Sequence, residues 1–113
     1  MKIDSYDFGR IVVDGTVYTS DVIIYPDRVD AGWWREEGHR LSLKDIQPVL
    51  EYKPDAIIVG TGFHGAMNVP EDVREHVISK GIELTVSTTK DACKSYNEME
   101  KSGKVIAAFH LTC

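Results

Sequence analysis

The sequence predicts an α/β fold in which an antiparallel hairpin layer precedes a β-α-β-α-β run with a mostly parallel sheet. Three observations carry this. Asp14-Gly15 stands between two short runs of β-forming residues, 9–13 and 16–18, the spacing of a two-residue hairpin turn. At Ser42 the hydrophobic period changes from strand-like to helical. Beyond it, apolar strand-like runs alternate with helical ones, and strands joined through helices are connected by right-handed crossovers and lie parallel.

Taken in order, the hairpin strands at 9–13 and 16–18 are followed by a third strand at 21–25, which Pro26 and Asp27 end. Gly32 and Gly38 bracket Trp33-Trp34-Arg35-Glu36-Glu37, an excursion or small hairpin that returns through His39-Arg40-Leu41. Leu43, Ile46, Val49 and Leu50 then recur at helical spacing, with Ser42 and Asp45 as a capping pair. Pro48 would cost ~3 kcal/mol inside a helix but is harmless in a first turn capped by Asp45. This short helix ends near Tyr52, before Pro54. A strand at 56–59 runs into the glycines at 60, 62 and 65. A helix from about Pro70 carries Glu71 and Asp72 in its first turn, turns Val73, Val77 and Ile78 to the core and is capped by Gly81. Residues 82–86 form a strand. Thr88-Thr89-Lys90-Asp91 opens a helix with Ala92, Tyr96 and Met99 inward and Gly103 at its end, and 104–111 is the last strand.

With 113 residues, 42% hydrophobic and 27% charged, the chain has the make-up of one globular domain over residues 1–113. A net charge of −5 without clustered Lys and Arg excludes the electrostatic footprint of a nucleic-acid binder. The opening residues lack the apolar core of a signal peptide, and no run approaches the ~20 apolar residues that span a bilayer. The expectation is a cytoplasmic protein with no membrane partner. Two cysteines, Cys93 in a helical pattern and Cys113 at the last position, read as free thiols rather than a bridge. His39, His64, His76 and His110 lack the paired spacing of zinc motifs, so neither a metal nor a cofactor is expected.

The strand end at 56–65 is the leading candidate site, because loops at the carboxyl ends of strands open into crevices and glycine admits a close guest. Gly60-Thr61-Gly62-Phe63-His64-Gly65 satisfies the dinucleotide spacing, yet the following helix opens well past the third glycine and presents two carboxylates that would repel a pyrophosphate. A looser anion or small-molecule pocket and a purely structural tight turn are the readings that stand. Gly60, Thr61, Gly62 and His64 are its ligand candidates. His64 is either an acid, base or donor, or an exposed loop histidine.

Cys93 lies just past the first turn of its helix, where the dipole favours a thiolate, while Asp91 opposes it. The competing reading is a small core residue. Asn97, one turn on, shares the face of Cys93 and is a candidate to orient a ligand. Trp33, Trp34 and Arg35 form a candidate interface, since adjacent side chains in extended chain face opposite ways and Trp and Arg dominate binding hot spots. Against this stands a Trp that covers the β layer.

With residues 60–62, Pro70-Glu71 and Ala92-Cys93-Lys94-Ser95-Tyr96-Asn97 in view, the chain resembles the small α/β family of uncharacterised archaeal and bacterial proteins. That family also includes the adipogenesis-associated domain protein of animals and a mitochondrial complex I assembly factor. The likeness runs from about Phe8 to about Phe109. Its most specific pieces are Ile58-Val59-Gly60-Thr61-Gly62 and the helix at 92–97, where Ser95 replaces the Thr common in relatives and keeps the hydroxyl. The resemblance implies a three-layer fold around a central mixed sheet, with the hairpin layer packed beside it. It implies no reaction, and the assembly-factor relative points to protein binding. Two functions therefore stand: a non-enzymatic interaction or assembly-accessory protein that binds a protein partner or itself, and a small-molecule binder or enzyme with its pocket at residues 60–67, Cys93 and Asn97.

Overall fold

A computed structural model describes residues Met1–Cys113. Its first strand, β1 (Ile3–Asp7), is one the sequence conceals, because Ile-Asp-Ser-Tyr-Asp buries Ile3 alone and half-buries Tyr6. It pairs antiparallel with β2 (Arg10–Val13), with a slip in register between Ile3 and Ser5. The Asp14-Gly15 turn joins β2 to β3 (Thr16–Tyr18) with positive φ at both residues, 47° and 79°, as a primed hairpin turn requires.

The third predicted strand, β4 (Val22–Ile24), leaves this layer. It joins a five-stranded sheet with β5 (Val29–Ala31), β6 (Ala56–Thr61), β7 (Glu83–Ser87) and β8 (Val105–His110), in the order β5-β4-β8-β6-β7. β6 is parallel to both β7 and β8, whereas β4 is antiparallel to β8 and to β5. The C-terminal half is thus parallel as predicted, and the hairpin of β4 and β5 makes the sheet mixed.

Both faces of this sheet are covered, so β6 and β8 are buried along their whole length and read as continuous apolar runs. Ile57, Val59, Ile106 and Ala108 turn to one face, under α1 (Gln47–Glu51), α2 (Glu71–Ser79), Trp33, Leu41 and Met67. Ala56, Ile58, Ala107 and Phe109 turn to the other, under α3 (Thr89–Met99) and the β1-β2-β3 layer. The chain travels outward from β6 to β7 and back across β6 to β8, and crossovers of one hand then place α2 and α3 on opposite faces.

Two local expectations change. Residues Leu43–Ile46 form a 3-10 turn in which Ser42 N–H donates to Asp45 Oδ2 at 2.8 Å, and α1 starts anew with Pro48 in its first turn. Ile78 is 59% exposed, because Val73 and Val77 already form the buried stripe of α2 and the next residue is rotated about 100° away.

Candidate functional site

Strand order doubles back around β6, and the carboxyl ends of β6 and β8 are where open α/β sheets hold ligands. Here that end is filled by the chain itself. Thr89 Oγ1 accepts Gly62 N–H at 2.9 Å and donates to His110 O at 2.6 Å, which ties α3 to both strands. A Cβ on Gly60 would stand 2.7 Å from Thr89 Oγ1 and 2.8 Å from Phe109 Cδ1, so a glycine is what lets α3 seat on β6. Gly62 has φ 108°, and a Cβ there would meet the backbone of Thr112 and Cys113 at 2.5 Å. Phe63 N–H donates to Thr112 O at 2.8 Å and Ala66 N–H to Cys113 O at 3.0 Å. Residues 112 and 113 occupy the space a guest would need. Thr61 Oγ1 is engaged as well, as a donor to Ser87 O at 3.0 Å.

Cys93 and Asn97, predicted to share this pocket, lie farther along α3 against the hairpin layer. Cys93 is buried in the core, and burial pushes its thiol up to about 12, the reverse of the shift that activates a cysteine. The Asn97 amide accepts from Ile3 N–H at 2.9 Å and donates to Ile3 O at 2.8 Å, which fastens β1 to α3.

The predicted interface triplet also divides. Trp34 is 74% exposed, but Trp33 and Arg35 point inward and are buried. Trp33 Nε1 donates to Asp45 O at 2.9 Å, and the Arg35 guanidinium lies over the Trp33 ring at 4.7 Å. Alternation along extended chain sends 33 and 35 to the same side and Trp34 to the other, so the three do not form one surface.

Arg35 enters a network the sequence did not disclose. Its Nη1 stands 2.9 Å from Asp21 Oδ2 as an ion pair, and Nη2 donates to Gly38 O at 2.9 Å. His110 Nδ1 lies 2.8 Å from the same Asp21 oxygen and 3.0 Å from Arg35 Nη2. A carboxylate only accepts and a guanidinium only donates, so one Nδ1 cannot satisfy both. We assign the Nδ1 proton to the shorter, charge-assisted contact with Asp21, which leaves a lone pair on the buried and unpartnered Nε2. Burial acts to raise the Asp21 carboxyl, but hydrogen bonds from His110, from Leu111 N–H and from Arg35 together hold it below its ordinary value. Asp21 immediately precedes β4 and His110 ends β8, each next to the paired residues Val22 and Phe109, and no spacing pattern announces such a meeting.

At the same end of the molecule four aromatic rings from two layers meet at the surface. Phe8, in the β1-β2 turn, is 49% exposed and meets Phe63 of the glycine loop edge to face at 5.8 Å. Phe63, 40% exposed, packs on His64 at 5.0 Å and on the half-buried Tyr6 at 6.4 Å. His64 is therefore an exposed loop histidine within an aromatic cluster.

The cavities open elsewhere. One of about 410 Å³ lies beside Lys53 and Lys80, one of about 260 Å³ beside Asp55 and Gly103, one of about 370 Å³ beside Trp34 and Lys44, and one of about 320 Å³ beside Arg40 and Asp72. No three His, Cys, Asp or Glu side chains gather as a metal-holding group. No helix is long and apolar enough to cross a membrane.

A family model described as "Protein of unknown function (DUF498/DUF598)" matches residues 3–110. The chain belongs to the DUF498/DUF598 family. Among solved structures, this family member is similar to the conserved hypothetical protein PH1505 of Pyrococcus horikoshii, at 27% identity and TM-score 0.85 over 100% of both chains. It is also similar to Rpa2829 of Rhodopseudomonas palustris, at 27% identity and TM-score 0.76, covering 95% of this chain and 80% of that one. A Bartonella henselae protein described as an outer membrane protein shares the fold at 22% identity and TM-score 0.81, covering 98% and 94%. The DUF498/DUF598 fold accordingly occurs in archaeal and bacterial proteins, and these likenesses bring no reaction with them.

Proposed function

We propose that this chain is a non-enzymatic, cytoplasmic protein-interaction domain of the assembly-accessory kind, and that its contact surface is the aromatic cluster of Tyr6, Phe8, Phe63 and His64. The observation that carries this reading is the edge-to-face pair of Phe8 and Phe63, both substantially exposed and held by two different layers. Burying large rings without freezing flexible chains is what makes aromatic residues binding hot spots. Exposed Asp7 and Arg10, cross-strand partners in β1 and β2, border Phe8 and supply the polar rim such a centre needs. The resemblance to an assembly factor supports the same direction. Both cysteines are free, which suits a reducing compartment.

The test compares the wild-type chain with a Phe8→Ala/Phe63→Ala variant of unchanged thermal midpoint, each used as bait and weighed by native mass spectrometry. The expected result is a protein partner retained by the wild type, whose affinity for the purified chain falls at least tenfold in the variant. Equal retention by both chains, or a small molecule carried in place of a protein, overturns it.

A second reading rests on Asp21 and His110. A carboxylate that holds Nδ1–H and leaves the Nε2 lone pair unpartnered is the arrangement of a general base, and it relocates the small-molecule or enzyme hypothesis from the glycine loop to the end of β8. A metabolite that raises the melting temperature of the wild type and leaves that of His110→Gln unmoved would establish it.

A further inference from the structure

We propose that two copies of this chain associate edge to edge through β7, antiparallel, so that their five-stranded sheets continue as one. The proposal involves none of the aromatic-cluster residues and stands apart from the reading above. It comes from comparing the open edges of the two sheets, which are β1, β3, β5 and β7. An open edge exposes unpaired N–H and C=O groups, and proteins blunt such edges with bulges, charges, brevity or covering groups. β1 has a register slip between Ile3 and Ser5, carries Asp4 and Asp7, and has both backbone groups of Ile3 taken by the Asn97 amide. β3 is three residues long, and β5 is three residues with Asp30 at its centre. β7 carries only one of these devices, the charge of Glu83 at its first position. It is five residues long, its register with β6 is unbroken from Glu83 to Ser87, and residues 84–87 are uncharged and only half-buried.

The ladder fixes which groups are free. Glu83 N–H donates to Asp55 O at 3.1 Å, so in a parallel pair Glu83, Thr85 and Ser87 bond inward to β6 while Leu84 and Val86 point N–H and C=O outward. A two-fold axis through Thr85 sets Leu84 opposite Val86 of the second copy, and each such pair exchanges two hydrogen bonds. Leu84 and Val86 lie on the same face, against the core under α2, so apolar side chains meet their counterparts there. α2 packs over β7. Glu83 falls opposite uncharged Ser87, and no like charges are brought together. A strand whose hydrogen-bonding groups, apolar side chains and charge all match its own two-fold image fits a second copy of itself better than an arbitrary peptide.

The experiment uses the full chain in sedimentation equilibrium, together with cysteine cross-linking in a Cys113→Ser background, since Cys113 is exposed and would cross-link by itself. The expected result is a dimer twice the 12.7 kDa chain mass. Thr85→Lys should weaken it about 100-fold, by setting like charges against each other on the axis. Thr85→Cys should form an intermolecular disulfide on mild oxidation, because a non-hydrogen-bonded antiparallel pair brings Cα atoms to ~4.5 Å. Leu84→Cys, two positions out of register with its own image, should not. A monomer at ~100 μM, a concentration at which any association of about −5.5 kcal/mol or better is half formed, overturns the proposal. So does a dimer that Thr85→Lys leaves intact, or equal cross-linking at 84 and 85. Should the lysine variant fail to fold, the contrast between the two cysteine positions decides.

Discussion

Asp21 Oδ2 stands 2.8 Å from His110 Nδ1 across 89 residues of sequence, and the same oxygen holds Arg35 at 2.9 Å. One carboxylate thereby fastens the start of β4, the end of β8 and the segment that carries Trp33. Replacing Arg35 with Met should cost about 3 kcal/mol, because it strips a nearly buried carboxylate of its fixed positive partner. Urea unfolding of the variant measures this, and a loss below about 1 kcal/mol would show that His110 and Leu111 N–H satisfy Asp21 without Arg35.

The same pair sets a pH dependence. The Asp21 carboxyl is held below its ordinary value in the folded chain, so its contribution is fully present above the unfolded value of about 4 and is lost as pH falls through the lower folded value. The stability difference between wild type and Asp21→Asn should therefore be constant from about pH 7 to 5 and shrink below about 4. Urea midpoints across that range give the answer, and a gap that widens in acid would reverse the sign.

Gly62 and Gly60 should be intolerant of a methyl group for different reasons. Gly62→Ala places a Cβ against backbone at 2.5 Å with φ at 108°, and should destabilise by about 2–4 kcal/mol. Gly60→Ala has an ordinary φ but meets Thr89 Oγ1 and Phe109 Cδ1 at 2.7 and 2.8 Å and Thr89 Cα at 3.1 Å, and should cost about 1–3 kcal/mol. Thermal denaturation of both variants orders them, and a neutral Gly62→Ala would mean that residues 112 and 113 do not lie on the loop in solution.

Cys93 should be inert. With its thiol pushed up to about 12 by burial, its reaction with an aromatic disulfide near pH 8 should be roughly 1000-fold slower than that of exposed Cys113. One fast thiol per native chain is expected, and two after denaturation. Two fast thiols in the native chain would restore the activated-cysteine reading.

The adjacent tryptophans should behave as opposites. Trp33→Ala empties part of a packed core and removes a donor to Asp45 O, at about 3–5 kcal/mol, whereas Trp34→Ala should stay within about 0.5 kcal/mol. Acrylamide quenching of the single-Trp variants checks the environments directly, with only the Trp34 signal readily quenched.

Much of the fold is legible where local chemistry is strong. Asp14-Gly15 demands the primed turn, the spacing of Ala92 and Tyr96 marks the buried stripe of α3, and β6 and β8 declare themselves as apolar runs because both faces are covered. β1 is illegible because its only fully buried side chain is Ile3, and β5 because three residues carry no period. The glycine loop shows where the chain approaches something closely. That the guest is residues 112 and 113 and Thr89 is written nowhere in residues 60–65.

The residues alone specify the α/β class, the hairpin, the order of strands and helices after Ser42 and the opposed directions of Trp33 and Trp34. These follow from φ preferences and from periods of 2 and 3.6, which act over a few residues. Long-range packing is what pairs β4 with β8, brings Asp21, Arg35 and His110 into one site, sets Phe8 against Phe63 and leaves β7 as an open edge. Each of these depends on which strands lie side by side, and pairing is chosen by the burial of whole faces, which no local pattern encodes.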